Sequence, residues 1–209
     1  MIINVVGGSP NLDKNLLKKH LAEFSIGVDY GAYFLATNNF ILDLAIGDFD
    51  SISPQQFKKV KRHANAIMEH QIEKDDTDTE LALLHALTLN PTKINIFGVT
   101  GKRLDHFIGA LNLFRHVKTE VEVNIYDTYN RIYVLNPGTH VLKKMDYQYI
   151  SFFAYSENVK KMSSNGLKYE LNEYNLMGKD SLCVSNEFMK AQAELSFDSG
   201  KLLVIESND

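Results

Sequence analysis

The chain has 209 residues and a formal net charge of −4, long for one ordinary domain and short for two large ones, so a large unit with a smaller appendage fits. The acidic balance leaves no electrostatic footprint for nucleic acid, the single cysteine, Cys183, excludes an internal disulfide and a multi-cysteine zinc site, and no apolar run is long enough to cross a membrane as a helix. Residues 1–6 lack the basic region and long apolar core of a secretory signal, so a cytoplasmic location is expected.

Ile2-Ile3-Asn4-Val5-Val6 reads as a strand that stops at Gly7-Gly8-Ser9-Pro10. Residues 13–21 place Leu16, Leu17 and Leu21 on one helical face. Phe24-Ser25-Ile26-Gly27-Val28 reads as a second strand and residues 31–37 as a helix, joined through Asp29, Tyr30 and Gly31. The apolar run 41–46 is a third strand, which delivers Gly47-Asp48-Phe49-Asp50-Ser51. Pro54 then opens a charged helix to about His63, since proline suits a first turn; its lysine-rich stretch reads as a solvated face. Asp76 or Thr77 can cap a helix through Leu89, with Leu81, Leu84, His85 and Leu87 or Thr88 on its buried side. Residues 93–99 read as a strand, 103–117 as a helix and 121–126 as a further strand. Strand and helix in alternation predict an α/β domain over residues 1–127, built on a mostly parallel, Rossmann-like sheet covered on both faces.

The pattern changes in residues 128–209. Short runs rich in β-branched and aromatic residues follow one another at 132–135, 149–153, 191–195 and 202–205. They are separated by turn signals at Asn136-Pro137-Gly138, Ser163-Ser164-Asn165-Gly166, Met177-Gly178-Lys179-Asp180 and Asp198-Ser199-Gly200. This predicts a small all-β sandwich domain, near the lower size limit for an independent core.

Polar clusters gather where strands of the first domain end. Ligands bind outside the carboxyl ends of strands in α/β sheets. Residues two apart on an extended backbone share a side, so Asp48 and Asp50 are expected to face one pocket. Two carboxylates in one pocket call for a shared proton or a cation, and a divalent cation carrying phosphate oxygens is the natural candidate. Lys74-Asp75-Asp76-Thr77-Asp78 holds more acid than a helix cap needs. In Gly98-Val99-Thr100-Gly101-Lys102-Arg103-Leu104-Asp105-His106, glycines let backbone N–H groups approach an anion, Arg103 supplies a planar fork for phosphate, and Asp105 can orient Arg103 or contact a metal. This loop matches neither the Walker A pattern nor the dinucleotide fingerprint. Gly27-Val28-Asp29-Tyr30-Gly31-Ala32 is a further strand-to-helix turn with a carboxylate, and four such loops opening on one sheet edge describe a site for a polyphosphate and its metal. Ser185-Asn186-Glu187, after a strand-like Ser181-Leu182-Cys183-Val184, reads by itself as a polar turn.

Strings in this order along the chain resemble the thiamin pyrophosphokinase (thiamin diphosphokinase) family of bacterial type: Gly47-Asp48-Phe49-Asp50-Ser51-Ile52, Lys74-Asp75-Asp76-Thr77-Asp78, Gly101-Lys102-Arg103-Leu104-Asp105-His106, Asn130-Arg131-Ile132, then Gly166-Leu167-Lys168-Tyr169, and Ser185-Asn186-Glu187-Phe188. The resemblance implies an α/β catalytic domain, a β-sandwich that binds thiamin, and a homodimer with active sites between subunits. It implies an Mg²⁺-dependent transfer of pyrophosphate from ATP to the thiamin hydroxyl, giving thiamin diphosphate and AMP. It makes Asp48, Asp50 and Asp78 the metal carboxylates and Asp75 a neighbour of the attacking hydroxyl. It puts Asp29, Gly31, Gly101, Arg103 and Asp105 on the ATP side, with Arg103 also catalytic, and Ser185 and Asn186 on thiamin. The chain departs from the family pattern at Tyr30, Lys102 and Glu170, and it has no tryptophan to wall the pyrimidine ring. Two rival readings share the acidic loop: a haloacid-dehalogenase-like phosphatase in which Asp48 is the phosphorylated nucleophile, and a catalytically silent thiamin or nucleotide sensor.

Overall fold

The first strand, β1 (Ile2–Val6), is buried along nearly its whole length, as a strand with helices over both faces must be. A computed structural model describes residues 1–69, 77–117 and 120–209 and divides the chain into two compact units, Met1–Thr128 and Tyr129–Asp209.

In the first unit β1 is followed by α1 (Lys14–Lys19), β2 (Phe24–Val28), α2 (Tyr30–Thr37), β3 (Leu44–Gly47), α3 (Pro54–His63), β4 (Ala66–Glu69), α4 (Asp78–Thr88), β5 (Lys93–Phe97), α5 (Leu104–Asn112), a 3-10 turn (Leu113–His116) and β6 (Glu122–Tyr126). The strands pair in parallel in the order β4-β3-β2-β1-β5-β6. The order reverses between β1 and β5, so the carboxyl ends of the strands line one edge with a topological switch point. Residues of α1, α2 and α3 pack with Val6, Ala45, Phe97 and Tyr126, while α4 packs on β1, β2 and β3. Asn4, Asn95 and Asn124 stand at matched positions on three neighbouring strands, all buried. Asn95 Nδ2 donates to Asn4 Oδ1 at 3.0 Å; a slip of one residue would carry these amides to the opposite face.

Local chemistry explains the helix starts. Ser53 and Gln56 form a reciprocal capping box with Pro54 in the first turn of α3. Thr77, the second of the two expected caps, accepts from the Glu80 N–H at 3.2 Å and starts α4.

The second unit holds β7 (Asn130–Leu135), β8 (Gly138–Lys143), β9 (Tyr149–Ala154), β10 (Asn158–Asn165), β11 (Tyr174–Met177), β12 (Gln192–Phe197) and β13 (Leu202–Ser207). Antiparallel β7-β13-β9 and β11-β10-β12-β8 form the two layers. Ile150, Phe152, Leu202 and Val204 from one layer pack with Val159, Met162, Leu176, Leu195 and Phe197 from the other, giving the sandwich expected from the alternating pattern.

Several local expectations are corrected. The first helix ends at Lys19, and Leu21 is exposed beyond it; of the three leucines only Leu17 is buried. The buried side of α4 is Ala82, Leu83 and Ala86, where the two alanines let the helix approach the sheet; of the residues expected there, Leu81, Leu84, His85 and Leu87 are only partly covered and Thr88 is exposed. The third strand starts at Leu44, with Ile41 exposed before it. Ser163, Ser164 and Asn165 lie in β10 rather than in a turn: the two serine hydroxyls accept the N–H groups of Glu173 and Leu171, both at 2.9 Å. Residues 181–184 form turns, not a strand, burying Cys183 and exposing Leu182 and Val184.

Candidate active site

The site begins with two adjacent strands. Val28 lies opposite Ile46, so the first residues beyond β2 and β3 emerge side by side. Asp29 has left the extended conformation (φ 47°, ψ −115°) and leads α2 without its side chain capping the helix. The carboxylate reaches across to the β3 loop instead, where its Oδ1 accepts the Phe49 N–H at 3.2 Å.

The β3 loop turns sharply. Phe49 adopts φ 59°, a region that a bulky residue enters only when its surroundings hold it there. Its ring is buried and stacked on Phe57, with centroids 4.6 Å apart. Asp48 Oδ1 accepts the Asp50 N–H at 3.0 Å, closing an Asx turn. The extended alternation expected for Asp48 and Asp50 is therefore absent, because the left-handed Phe49 stands between them.

What the fold brings together is Asp29, Asp48 and Asp78. One carboxylate oxygen from each lies within 4.8 Å of the others, and all three residues are half-buried. Asp78 arrives from the first turn of α4. Asp50 is exposed and outside this trio, yet the charge of Asp48, with a contribution from Asp78, pushes its pKa up. Burial pushes Asp29 up to about 6; the Phe49 N–H opposes this, and Asp78, Asp48 and Asp50 add to it. Carboxylates crowded in this way take up a proton or a cation. The donor set consists of oxygens alone, which suits a hard divalent cation.

Arg103 and Asp105 stand at the start of α5 after the β5 loop. The guanidinium grips Asp105 through Nη2 at 2.5 Å and Nε at 3.2 Å, and this contact draws the Asp105 pKa down to about 2. Of the two roles open to Asp105, orienting Arg103 is the one seen. Two of the five guanidinium donors are used, which leaves the rest for an anion. A Cβ on Gly31 would lie 1.9 Å from the Val6 carbonyl oxygen, and one on Gly101 would lie 2.9 Å from Ser9 Oγ. Gly31 thus serves close backbone packing, whereas Gly101 lies against the Ser9 side chain. Asp75, with Lys74 and Asp76, lies outside the described residues.

In the second unit Ser185 is exposed at φ 58° and donates its N–H to Ser151 Oγ at 2.9 Å. Asn186 is buried, and its side chain is committed within the fold. Its Oδ1 accepts the Tyr169 N–H at 3.0 Å, and its Nδ2 donates to the Tyr169 carbonyl at 2.8 Å.

The place of Asp29 in the trio was missed from sequence. The signal was present: parallel neighbours that end together put Asp29 beside Gly47.

Residues 14–126 match the family model described as "Thiamin pyrophosphokinase, catalytic domain", and residues 139–202 match "Thiamin pyrophosphokinase, vitamin B1 binding domain". The thiamine pyrophosphokinase of Bacillus subtilis (strain 168) is 39% identical over 214 residues, 99% of each chain. A crystal structure of thiamine pyrophosphokinase from Bacillus subtilis has a TM-score of 0.93 at 37% identity, over the whole of both chains. One of thiamin pyrophosphokinase from Geobacillus thermodenitrificans has 0.90 at 33%, over all of this chain and 98% of that one. At 18% identity the Candida albicans thiamin pyrophosphokinase shares the fold, with a TM-score of 0.79 over 99% of this chain and 89% of that one. With both domain models matched in order and this relatedness along its full length, the chain belongs to the thiamin pyrophosphokinase family.

Proposed function

We propose a division of labour for the reaction that this enzyme catalyses, the ATP-dependent pyrophosphorylation of thiamin. Asp29, Asp48 and Asp78 hold a divalent cation, Mg²⁺ in the cell, with Asp50 beside them. The convergence of three carboxylates from separate loops on one sheet edge carries this reading. When bound, the cation neutralises phosphate oxygens of ATP as charge develops on them. The thiamin hydroxyl attacks the β-phosphorus in line, its O–P bond forms as the bond to the departing AMP breaks, and the hydroxyl proton is released. Such a transfer asks for positioning and charge neutralisation more than for a strong base.

Arg103, oriented by Asp105, contacts the transferred diphosphate or the leaving AMP, and the loops at Gly31 and Gly101 bring backbone near the nucleotide. Asp75 orients the attacking hydroxyl. Acid around the site also suits the permanent positive charge of the thiazolium ring. The segment at Ser185 and Asn186 belongs to thiamin recognition, with Asn186 acting through the Tyr169 backbone. The working form is a cytoplasmic homodimer whose active sites lie between subunits. The phosphatase and sensor readings lack the support that both family domains give to pyrophosphoryl transfer.

The experiment is an assay for AMP with ATP, Mg²⁺ and thiamin. Asp48→Asn is expected to stay folded and to lose activity by about a hundredfold or more, as removal of a transition-state electrostatic group does. Near-normal turnover of that variant at saturating Mg²⁺ would remove Asp48 from the metal site.

A further inference from the structure

We propose that Gly47 is a positioning residue that gives the Asp29 carboxylate its seat in the metal cluster. The inference rests on the reading that Asp29, Asp48 and Asp78 hold a divalent cation. Gly47 is the last residue of β3 and lies beside Asp29, whose N–H donates to the Ile46 carbonyl at 3.1 Å. A Cβ built on Gly47 would fall 1.8 Å from Asp29 Oδ1 and 2.8 Å from Asp29 Cγ, where uncrowded carbon contacts run to about 3.5 Å or more. The Asp29 carboxylate therefore occupies the space that any side chain at position 47 would take.

The atom met first is the far end of a side chain rather than backbone. A methyl group at position 47 is thus accommodated by swinging the Asp29 carboxylate aside. That movement would break two contacts together: the approach of Asp29 to Asp48 and Asp78, and the hydrogen bond from the Phe49 N–H that braces the turn carrying Asp48. The backbone at Gly47 (φ 148°) also disfavours a side chain, but that cost is paid whether or not Asp29 has a carboxylate.

A double-mutant cycle separates the two effects. Mn²⁺ alone is titrated into the wild-type protein, Gly47→Ala, Asp29→Gly and the double variant, with binding read by calorimetry or electron paramagnetic resonance. Glycine at position 29 removes the collision and tolerates the positive φ. Gly47→Ala in the wild-type background is expected to weaken Mn²⁺ binding by about ten- to a hundredfold, to the level of Asp29→Gly. In the Asp29→Gly background Gly47→Ala is expected to change it little. Additive losses, or Mn²⁺ affinity unchanged in Gly47→Ala, would overturn the proposal. Should Gly47→Ala be too unstable to titrate, the cycle is read in urea unfolding midpoints: Asp29→Gly must relieve part of the loss, and equal losses in both backgrounds would overturn it. The underlying metal reading fails separately, if the wild-type protein itself binds no Mn²⁺.

Discussion

Asp29 pays for its position twice: its backbone leaves the favoured regions and its carboxylate is half-buried among other acids. Strain of this kind persists where surrounding contacts over-determine it and gathers at functional sites. Asn186 shows the opposite economy. Every polar atom of its side chain is used, and the Tyr169 peptide groups depend on it. Asn186→Ala is expected to lower stability by about 1–3 kcal/mol, because the part-buried N–H and carbonyl of Tyr169 lose their partner. Urea unfolding checks this. An unchanged midpoint with a raised thiamin KM would instead put the side chain directly on the acceptor.

At the scale of elements, the pairing of β7 with β13 buries a charge. Glu206 on β13 is almost wholly covered; it accepts from the Tyr133 hydroxyl at 2.9 Å and faces Arg131 Nη1 at 3.5 Å. Burial pushes its pKa up, and Arg131 and Tyr133 only partly offset this. A raised carboxyl pKa contributes stability that is present at low pH and lost as pH rises through the raised value. Glutamine mimics the neutral form. Glu206→Gln should therefore gain thermal stability relative to wild type as pH climbs from about 4 to about 8. A gap that narrows with rising pH would mean that the ion pair with Arg131 outweighs burial. The elements also mark where periodicity is a good guide. Strong local chemistry placed α3 from Pro54 to His63, whereas β4 is four residues long, half-exposed and at the sheet edge, and its apolar run Ala66-Ile67-Met68 is too short to show a period.

At the scale of the whole molecule, two units of different architecture serve one reaction, each matched by its own family domain. The homodimer proposed for the working enzyme predicts a solution mass twice that of the chain, measured by light scattering. A monomeric mass with full activity would remove the proposal of sites shared between subunits.

The alternation of apolar runs, turns and caps was enough to specify an α/β unit followed by a β-sandwich, because burial on two faces or on one leaves different periods along the chain. The acidic loops were legible too, since Asp48 and Asp78 follow from strand ends and helix starts. Which carboxylates meet was not legible. That depended on β2 and β3 ending side by side, on a left-handed Phe49 between Asp48 and Asp50, and on an empty Cβ position at Gly47. Local patterns report which way a backbone runs and which face is buried; the distance between side chains on different strands exists only once the strands have paired.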